Sequence, residues 1–366
     1  MKQIKKTIKN HKIKVIVMSI LLLLSIAFLV FMRNNHFLYS DYIIRVIEVN
    51  ETRLIRDDGE HVSPYYLQQI RARVMNGDAR GKIVEFETER SYSGLLDYNL
   101  RVGNEIFVDR IEDISTANIL NIKRDFHIAL ITIIFLLLLI FIASMRSLLM
   151  IITMIINILI FILVTYLRAD GYNVLLLFSI ATIFFTVITI LITCGINKKS
   201  LGAILSTLLS VVVMMLIAYF VIEIQDIRFE TMDFLPYLPD FHLIFFSSLL
   251  IGGLGAIMDT AVLMATSINE LIYRNPKIKA KDLKESAWEV AQDTTGTSMN
   301  VLFYASIIGM IPIIIFFVAN AQDLTFISRY WLSIEVIRAL VGSIGIVLVV
   351  PISYVVNLWL WKRWQL

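Results

Sequence analysis

Residues 249–271, LLIGGLGAIMDTAVLMATSINEL, are long enough to cross a bilayer, yet they carry a carboxylate, Asp259, near their middle. An ionised side chain at that depth costs about 3 kcal/mol or more, so by default it marks a site. At 3.6 residues per turn, Ser248, Gly252, Gly255, Ala256, Asp259, Thr266 and Glu270 share one helical face, which is small and polar. Ile251, Leu254, Ile257, Leu263 and Met264 lie on the other faces. Small residues let a second helix approach closely and surround the carboxylate with protein instead of lipid. Two readings of Asp259 stand side by side. It is a proton or cation site, or it is a buried acid that only holds helices together.

The next apolar segment opens with AQDTTGTSMN, residues 291–300. Asp293, Thr297, Asn300 and Tyr304 recur at helical spacing on one face. Their hydroxyl and amide groups are suited to donate hydrogen bonds to Asp259 or to share a small cation with it. The plainer role is interhelical hydrogen bonding, for which Thr and Asn are routinely used. Glu270 and Asp293 fall at the inner mouth of the same region. In the last apolar segment Glu335 and Arg338 stand one turn apart and can pair. Gly342 and Gly345 continue on that side, followed by Pro351, Ser353 and Asn357. Gly252, Gly255, Ala256, Gly342 and Gly345 are the expected helix-packing residues. Three helices thus each offer a small or polar face. If those faces meet, they enclose a hydrophilic path through an apolar bundle.

The elements that must position these residues are set by composition. The 366-residue chain is 58% hydrophobic and 17% charged, which is the signature of a multispanning membrane protein. The expected fold is a mainly α-helical polytopic membrane protein of about eight transmembrane helices. One small extracytoplasmic β-rich domain lies between helices one and two. Residues 1–32 form a basic N-terminus, with six Lys and no acid before residue 15, and an uncleaved anchor helix. Residues 33–127 alternate apolar and polar side chains in short runs, as strands do. Asn76-Gly77, Arg80-Gly81, Ser93-Gly94 and Gly103-Asn104 mark turns, and a plain turn is also expected at Asp57-Asp58-Gly59.

Residues 128–366 form a seven-helix transmembrane domain. Its spans are expected near 128–145, 148–167, 174–196, 201–224, 242–268, 299–319 and 334–360. The acidic loop 225–241 holds Pro236 and Pro239, which stop a helix. Near residues 278–292, Leu283, Ala287, Val290 and Ala291 face away from Lys279, Lys281 and Lys284. That pattern predicts an amphipathic cytoplasmic helix lying on the membrane surface. With the N-terminus inside, sixteen basic residues fall on the cytoplasmic side and three in the short outer loops. The bias places both termini in the cytoplasm and residues 33–127 outside it.

Several function classes lack their residues. No HExxH, GxSxG or Walker A sequence is present, and the five His residues have no ligand spacing. The single Cys194 excludes an internal disulfide. No enzyme activity, catalytic residue, metal, cofactor or nucleic-acid partner is expected; the lipid bilayer is.

The segments GGLGAIMDTAVLMATSINEL, RNPKIKAKDLKESAWEVAQDTTGTSMN and, earlier, NGDARGK and LRVGNEIFV resemble the YibE/F family of bacterial membrane proteins. Asp259, Asp293, Gly296, Thr297 and Asn300 match the family's pattern, and the likeness covers essentially the chain beyond the anchor. Gly103-Asn104 departs from the family's usual Gly-Asp. The resemblance implies a YibE-type protein of the bacterial cell membrane, often accompanied by a smaller related membrane protein as a heteromer. It implies no substrate. A local likeness also holds to half of a proton-driven permease of the resistance-nodulation-division or SecD/SecF type, in which intramembrane carboxylates carry protons.

The expected function is a membrane transporter or ion-coupled permease. Asp259 is its proton or cation site, and Thr297, Asn300, Asp293 and Glu270 are the accompanying candidates. The alternative is a non-transporting membrane scaffold whose outer β domain binds a partner or envelope component. No second half-repeat with its own charged residue is evident, although transporters are commonly built from repeats.

Overall fold

The computed structural model describes all residues except 1, 58–61, 92–96, 110–118, 144, 170, 225–240, 320–321 and 366. The turns expected at Asp58-Gly59 and Ser93-Gly94, and nearly all of the acidic loop 225–241, lie outside the described residues. The chain divides into two compact units, residues 1–147 and 148–366.

The first unit opens with helix α1 (Lys2–Arg33). Five antiparallel strands follow: β1 (Tyr42–Asp57), β2 (Val62–Val74), β3 (Ile83–Ser91), β4 (Glu105–Val108) and β5 (Ile119–Ile122), in the order β3-β2-β1-β4-β5. The period-two pattern of these runs sends Ile44, Val46, Ile70, Ala72, Val74, Phe86, Ile106 and Val108 to one face, where they form the core with Leu100. A bulge between Val46 and Glu48 shifts the β1–β2 register. Gly77, Gly81 and Gly103 adopt left-handed φ values of 70°, 91° and 90° at the expected turns. At Gly77 a side chain has no room, because a Cβ would lie 2.8 Å from the Tyr42 ring. Helix α2 (Asp125–Ala143) packs on α1 and belongs to this unit by its contacts, although the sequence pattern groups it with the later helices.

The second unit is helical. It holds α3 (Met145–Ala169, of which Leu148 onward belongs here), α4 (Val174–Cys194), α5 (Lys198–Ile224), α6 (Phe241–Gly252), α7 (Leu254–Arg274), α8 (Ala280–Ala319), the short α9 (Leu324–Ile327) and α10 (Ser333–Gln365). Among the described residues, seven helical stretches are long and apolar enough to cross a membrane: Asp125–Ile142, Leu148–Arg168, Val174–Cys194, Lys198–Ile222, His242–Arg274, Ala280–Ala319 and Ser333–Lys362. The apolar part of α1, Met18–Arg33, is shorter.

Helices α5, α7 and α10 form the centre. Met214, Leu254, Ile257, Ala261 and Ile346 interlock there with Phe245 and Leu249 of α6. Ser206, Thr207 and Ser210 of α5 are fully buried, and each returns its hydroxyl hydrogen to the carbonyl four residues earlier. That removes the cost of placing hydroxyls in an apolar centre.

Two features differ from the sequence expectation. The single span expected at 242–268 is two helices meeting at Gly253. The expected surface helix near 278–292 and the span at 299–319 are one continuous helix, α8. Leu283, Ala287 and Ala291 do form an apolar face, but Met264 and Ile268 of α7 and Val350 of α10 cover it. The Tyr354 hydroxyl donates to the Ala280 carbonyl at 2.8 Å and fixes the start of the helix. No proline precedes Pro312 within α8, so nothing breaks the backbone ladder between its two halves.

Candidate functional site

At the α6–α7 junction the helices approach one another closely. A Cβ on Gly253 would lie 3.5 Å from the Gly342 backbone and 3.4 Å from Met214 Sδ. On α10, a Cβ on Gly345 would meet Met214 Sδ at 2.8 Å and Ile257 Cδ1 at 2.9 Å, and one on Gly342 would meet Leu302 Cδ2 at 2.7 Å. Gly253, Gly342 and Gly345 therefore let α5, α7, α8 and α10 converge. Gly252 and Gly255 do not take part, since a Cβ on either meets nothing within 4 Å. Ala256 is half-buried. On α6–α7 the packing register is thus one residue away from the expected pair.

That register decides where Asp259 points. Ile257, Thr260, Ala261, Met264, Ala265 and Ile268 form the inward face of α7, each at most 1% exposed. The Thr260 hydroxyl is satisfied by the Ala256 carbonyl at 2.9 Å. Gly252, Gly255, Asp259, Thr266 and Glu270 lie on the opposite, exposed face. The small polar face exists as read from the sequence, but among the described residues of this unit no helix covers it. The apolar residues drive the choice, because Leu254, Ile257 and Met264 fill the core shared with α5 and α10.

Helix α8 behaves likewise. Asp293, Gly296, Thr297, Asn300 and Tyr304 are all exposed. Thr297 donates its hydroxyl to the Asp293 carbonyl at 3.0 Å, a bond within the helix. Among the described residues no hydrogen bond or ion pair joins Asp259 to Thr297, Asn300, Asp293 or Glu270. Glu270 pairs instead with Arg274 at 2.7 Å on the exposed end of α7. The polar residues of α10 turn inward: Ser353 is fully buried and Asn357 is 4% exposed. The three polar faces therefore do not meet, and no path is enclosed by them. Glu335 and Arg338 form the ion pair expected from their spacing, with the Arg338 guanidinium 5.5 Å from the Phe245 ring centre.

Beside α7, a cavity of about 530 Å³ lies between α3, α4 and the α6–α7 junction. Its walls are mainly apolar, but Thr153, Asn157, Thr189 and Thr193 line it together with Gly255 and Met258. Asn157 donates to Thr189 Oγ1 at 3.1 Å and ties α3 to α4.

A second cluster of charge, which sequence reasoning missed, lies in the first unit. His36 Nε2 and Arg45 Nε approach Glu105 Oε1 at 3.0 and 2.9 Å. Lys123, with a side chain 2% exposed, reaches Asp125 at 2.8 Å and Glu105 at 3.5 Å. Asn35 and Tyr39 donate to the other Asp125 oxygen at 2.8 and 3.0 Å. Burial alone would raise the Glu105 carboxyl; the hydrogen bonds and charges of His36 and Arg45 outweigh it and hold the group below its ordinary value. These contacts clamp the end of α1, the edge of β4 and the start of α2 together. Their partners lie up to 90 residues apart, so no local spacing announces them.

Together these features define a polytopic helical membrane protein with a small antiparallel β unit before its helical unit and an ionisable residue inside one span. Residues 131–363 match the model of the YibE/F-like protein family, and residues 37–122 match that of the YibE/F family N-terminal domain. The chain belongs to the YibE/F-like family. No curated protein and no solved structure matches it.

Proposed function

We propose that this chain is an ion-coupled permease of the bacterial cell membrane, not an enzyme, and that Asp259 is the group that takes up a proton or small cation. The observation that carries the reading is the position of Asp259. It sits within a span, exposed, without a bonded partner among the described residues, on a face lined by Gly252 and Gly255. A carboxylate left in that state against lipid is costly. A partner that covers the face, or an ion that occupies it, removes the cost. The exposed α8 face is the second half of the same argument, because Asn300 and Tyr304 present side-chain donors that make no hydrogen bond among the described residues, beside Thr297, whose hydroxyl is bonded only within its own helix. The reading therefore includes a further membrane subunit, of which a smaller relative is the natural form, laid against α7 and α8. Both termini are cytoplasmic in this arrangement, and residues 33–127 are extracytoplasmic.

The experiment is gradient-driven proton and cation flux in proteoliposomes, for the wild type beside Asp259→Asn, with and without any co-purifying membrane protein. Asn nearly preserves shape and hydrogen bonding but carries no titratable charge. Flux that the substitution abolishes, at equal expression, supports the permease.

One observation favours a second reading, a scaffold whose β unit docks a partner. The β1–β2–β3 surface carries an open polar hollow of about 640 Å³ lined by Glu48, Asn50, Gln69, Arg71, Glu85 and Glu87. Absence of flux in every preparation, with cellular function intact in Asp259→Asn, selects the scaffold.

A further inference from the structure

The cavity of about 530 Å³ beside α7 falls in the size range of small-molecule sites, roughly 300–1,000 Å³. Phe161, Phe185, Ile251 and Leu254 give it apolar walls, and among the described residues no charged side chain lines it. Helix α3 packs on the core through Ile160, Val164 and Leu167, and the cavity lies mainly along the preceding stretch, Met150–Ile158. Among its lining residues Met154, Ile158 and Gly255 are exposed, and all three lie within spans, so it opens toward the bilayer.

Its polar groups are of two kinds. The Thr153 and Thr193 hydroxyls donate to the Leu149 and Thr189 carbonyls, at 2.7 and 2.6 Å, and are satisfied. Asn157 and Thr189 are not. Asn157, near the middle of the span Leu148–Arg168, donates through Nδ2 to Thr189 Oγ1 at 3.1 Å, but its Oδ1 is buried and accepts no hydrogen bond. The Thr189 hydroxyl accepts that one bond, and its own hydrogen has no acceptor among the described residues. At this depth no bulk water is at hand for either group, and hydrocarbon leaves both unpaired, which is costly. Because Asn157 lines the cavity, a turn of its side chain presents Oδ1 to an occupant. The pair then offers one acceptor and one donor, the complement of a single hydroxyl.

We propose that this cavity binds an apolar molecule bearing one hydroxyl, a long-chain alcohol in its simplest form, which enters from the bilayer. The hydroxyl donates to Asn157 Oδ1 and accepts from Thr189, and the chain lies against the apolar walls. A carboxylate or phosphate head group would find no counter-charge there. A plain acyl chain would fill the space and leave Asn157 unpaired. Water would satisfy Asn157 but gain nothing from walls that are mainly apolar. Binding is read without flux, so its failure and that of the permease are distinguishable.

The test uses the full chain in nanodiscs with dodecanol that carries a photoreactive diazirine in its chain, and the crosslinked residues are mapped by mass spectrometry. Crosslinks are expected in the cavity-lining stretches 150–161, 185–193 and 251–258. Three competitors are compared: dodecanol; dodecyl methyl ether, which accepts but does not donate; and dodecane. Dodecanol should displace the probe at about a tenfold lower mole fraction in the membrane than the ether, since a buried acceptor gains its donor. Asn157→Leu should remove that difference and keep the crosslinks, with a thermal melt to check that the fold is retained. Thr153→Val removes a hydroxyl that is already satisfied and should keep the difference. Equal competition by all three compounds in the wild type overturns the proposal and assigns the cavity to acyl chains; this series decides by itself if Asn157→Leu does not fold. Absence of crosslinks in those stretches, or a preference for the alcohol that survives in folded Asn157→Leu, also overturns it.

Discussion

Glu105 holds together three groups from separate parts of the first unit, His36, Arg45 and Lys123, and its protonation state follows from its surroundings. Its carboxyl titrates below the ordinary value, so the ionised form stabilises the fold. That stability is complete above the ordinary carboxylate range, near pH 4.3, and is lost as pH falls through the lower folded value. Glu105→Gln should therefore cost on the order of 3 kcal/mol at neutral pH, because Lys123 and Arg45 lose a buried counter-charge. It should also flatten the acid dependence. All five Trp residues lie beyond residue 287, so fluorescence does not report on this unit. Hydrogen exchange of the β1 and β4 amides between pH 3 and pH 7 does. Unchanged protection in Glu105→Gln would show that the cluster is not a clamp.

At the scale of elements, the crossing of α5, α7 and α10 depends on the absence of side chains. Gly345→Val should be destabilising by roughly 1–3 kcal/mol, because Met214 and Ile257 already stand within 3 Å of a Cβ there. Gly255→Val meets open space and should leave the melting temperature of the isolated chain almost unchanged. A thermal melt of the two variants side by side checks the register of α7. Much of this level was legible in the sequence. The apolar runs of α3, α4 and α5, the alternation of β1 to β3, and the turns at Gly77, Gly81 and Gly103 all carry local periods or a backbone requirement. The inward face of α7 was not legible. In a membrane helix hydrophobicity does not tell inside from outside, since lipid is as apolar as the core. The close pair Gly253–Gly342 and the apparent pair Gly252 and Gly255 read alike until the partner helices are placed. The length of α8 was missed for a related reason: Gly296 and the threonines around it resemble a helix start, yet without a proline they continue one.

For the whole molecule, the helical unit closes an apolar centre around α5, α7 and α10 but leaves the polar faces of α7 and α8 outward. Asp259 on α7 and Thr297 and Asn300 on α8 are exposed, while Ser353 and Asn357 on α10 are enclosed. The candidate residues were found by type and spacing, and their sharing of faces followed from helical geometry. That the faces look away from the chain's own core follows only from tertiary packing. Gly255→Leu should spare folding yet abolish flux and co-purification of a second subunit, as read by proteoliposome assay and by pull-down from membranes. Retention of both in that variant would leave the α7 face without a role in assembly.

Helix α8 runs unbroken for 40 residues. At 1.5 Å per residue that is a rod of about 60 Å, twice the roughly 30 Å of a hydrocarbon core. Before Pro312 it has no proline at which to bend. Trp288, at the end packed on Tyr354, and Asn300, on the open face, are therefore parts of one lever. Whatever grips or releases the Leu283–Ala287–Ala291 end must swing the Thr297–Asn300 end with it. A displacement of the Trp288 end is thereby carried toward Asn300 along a helix with no proline between them.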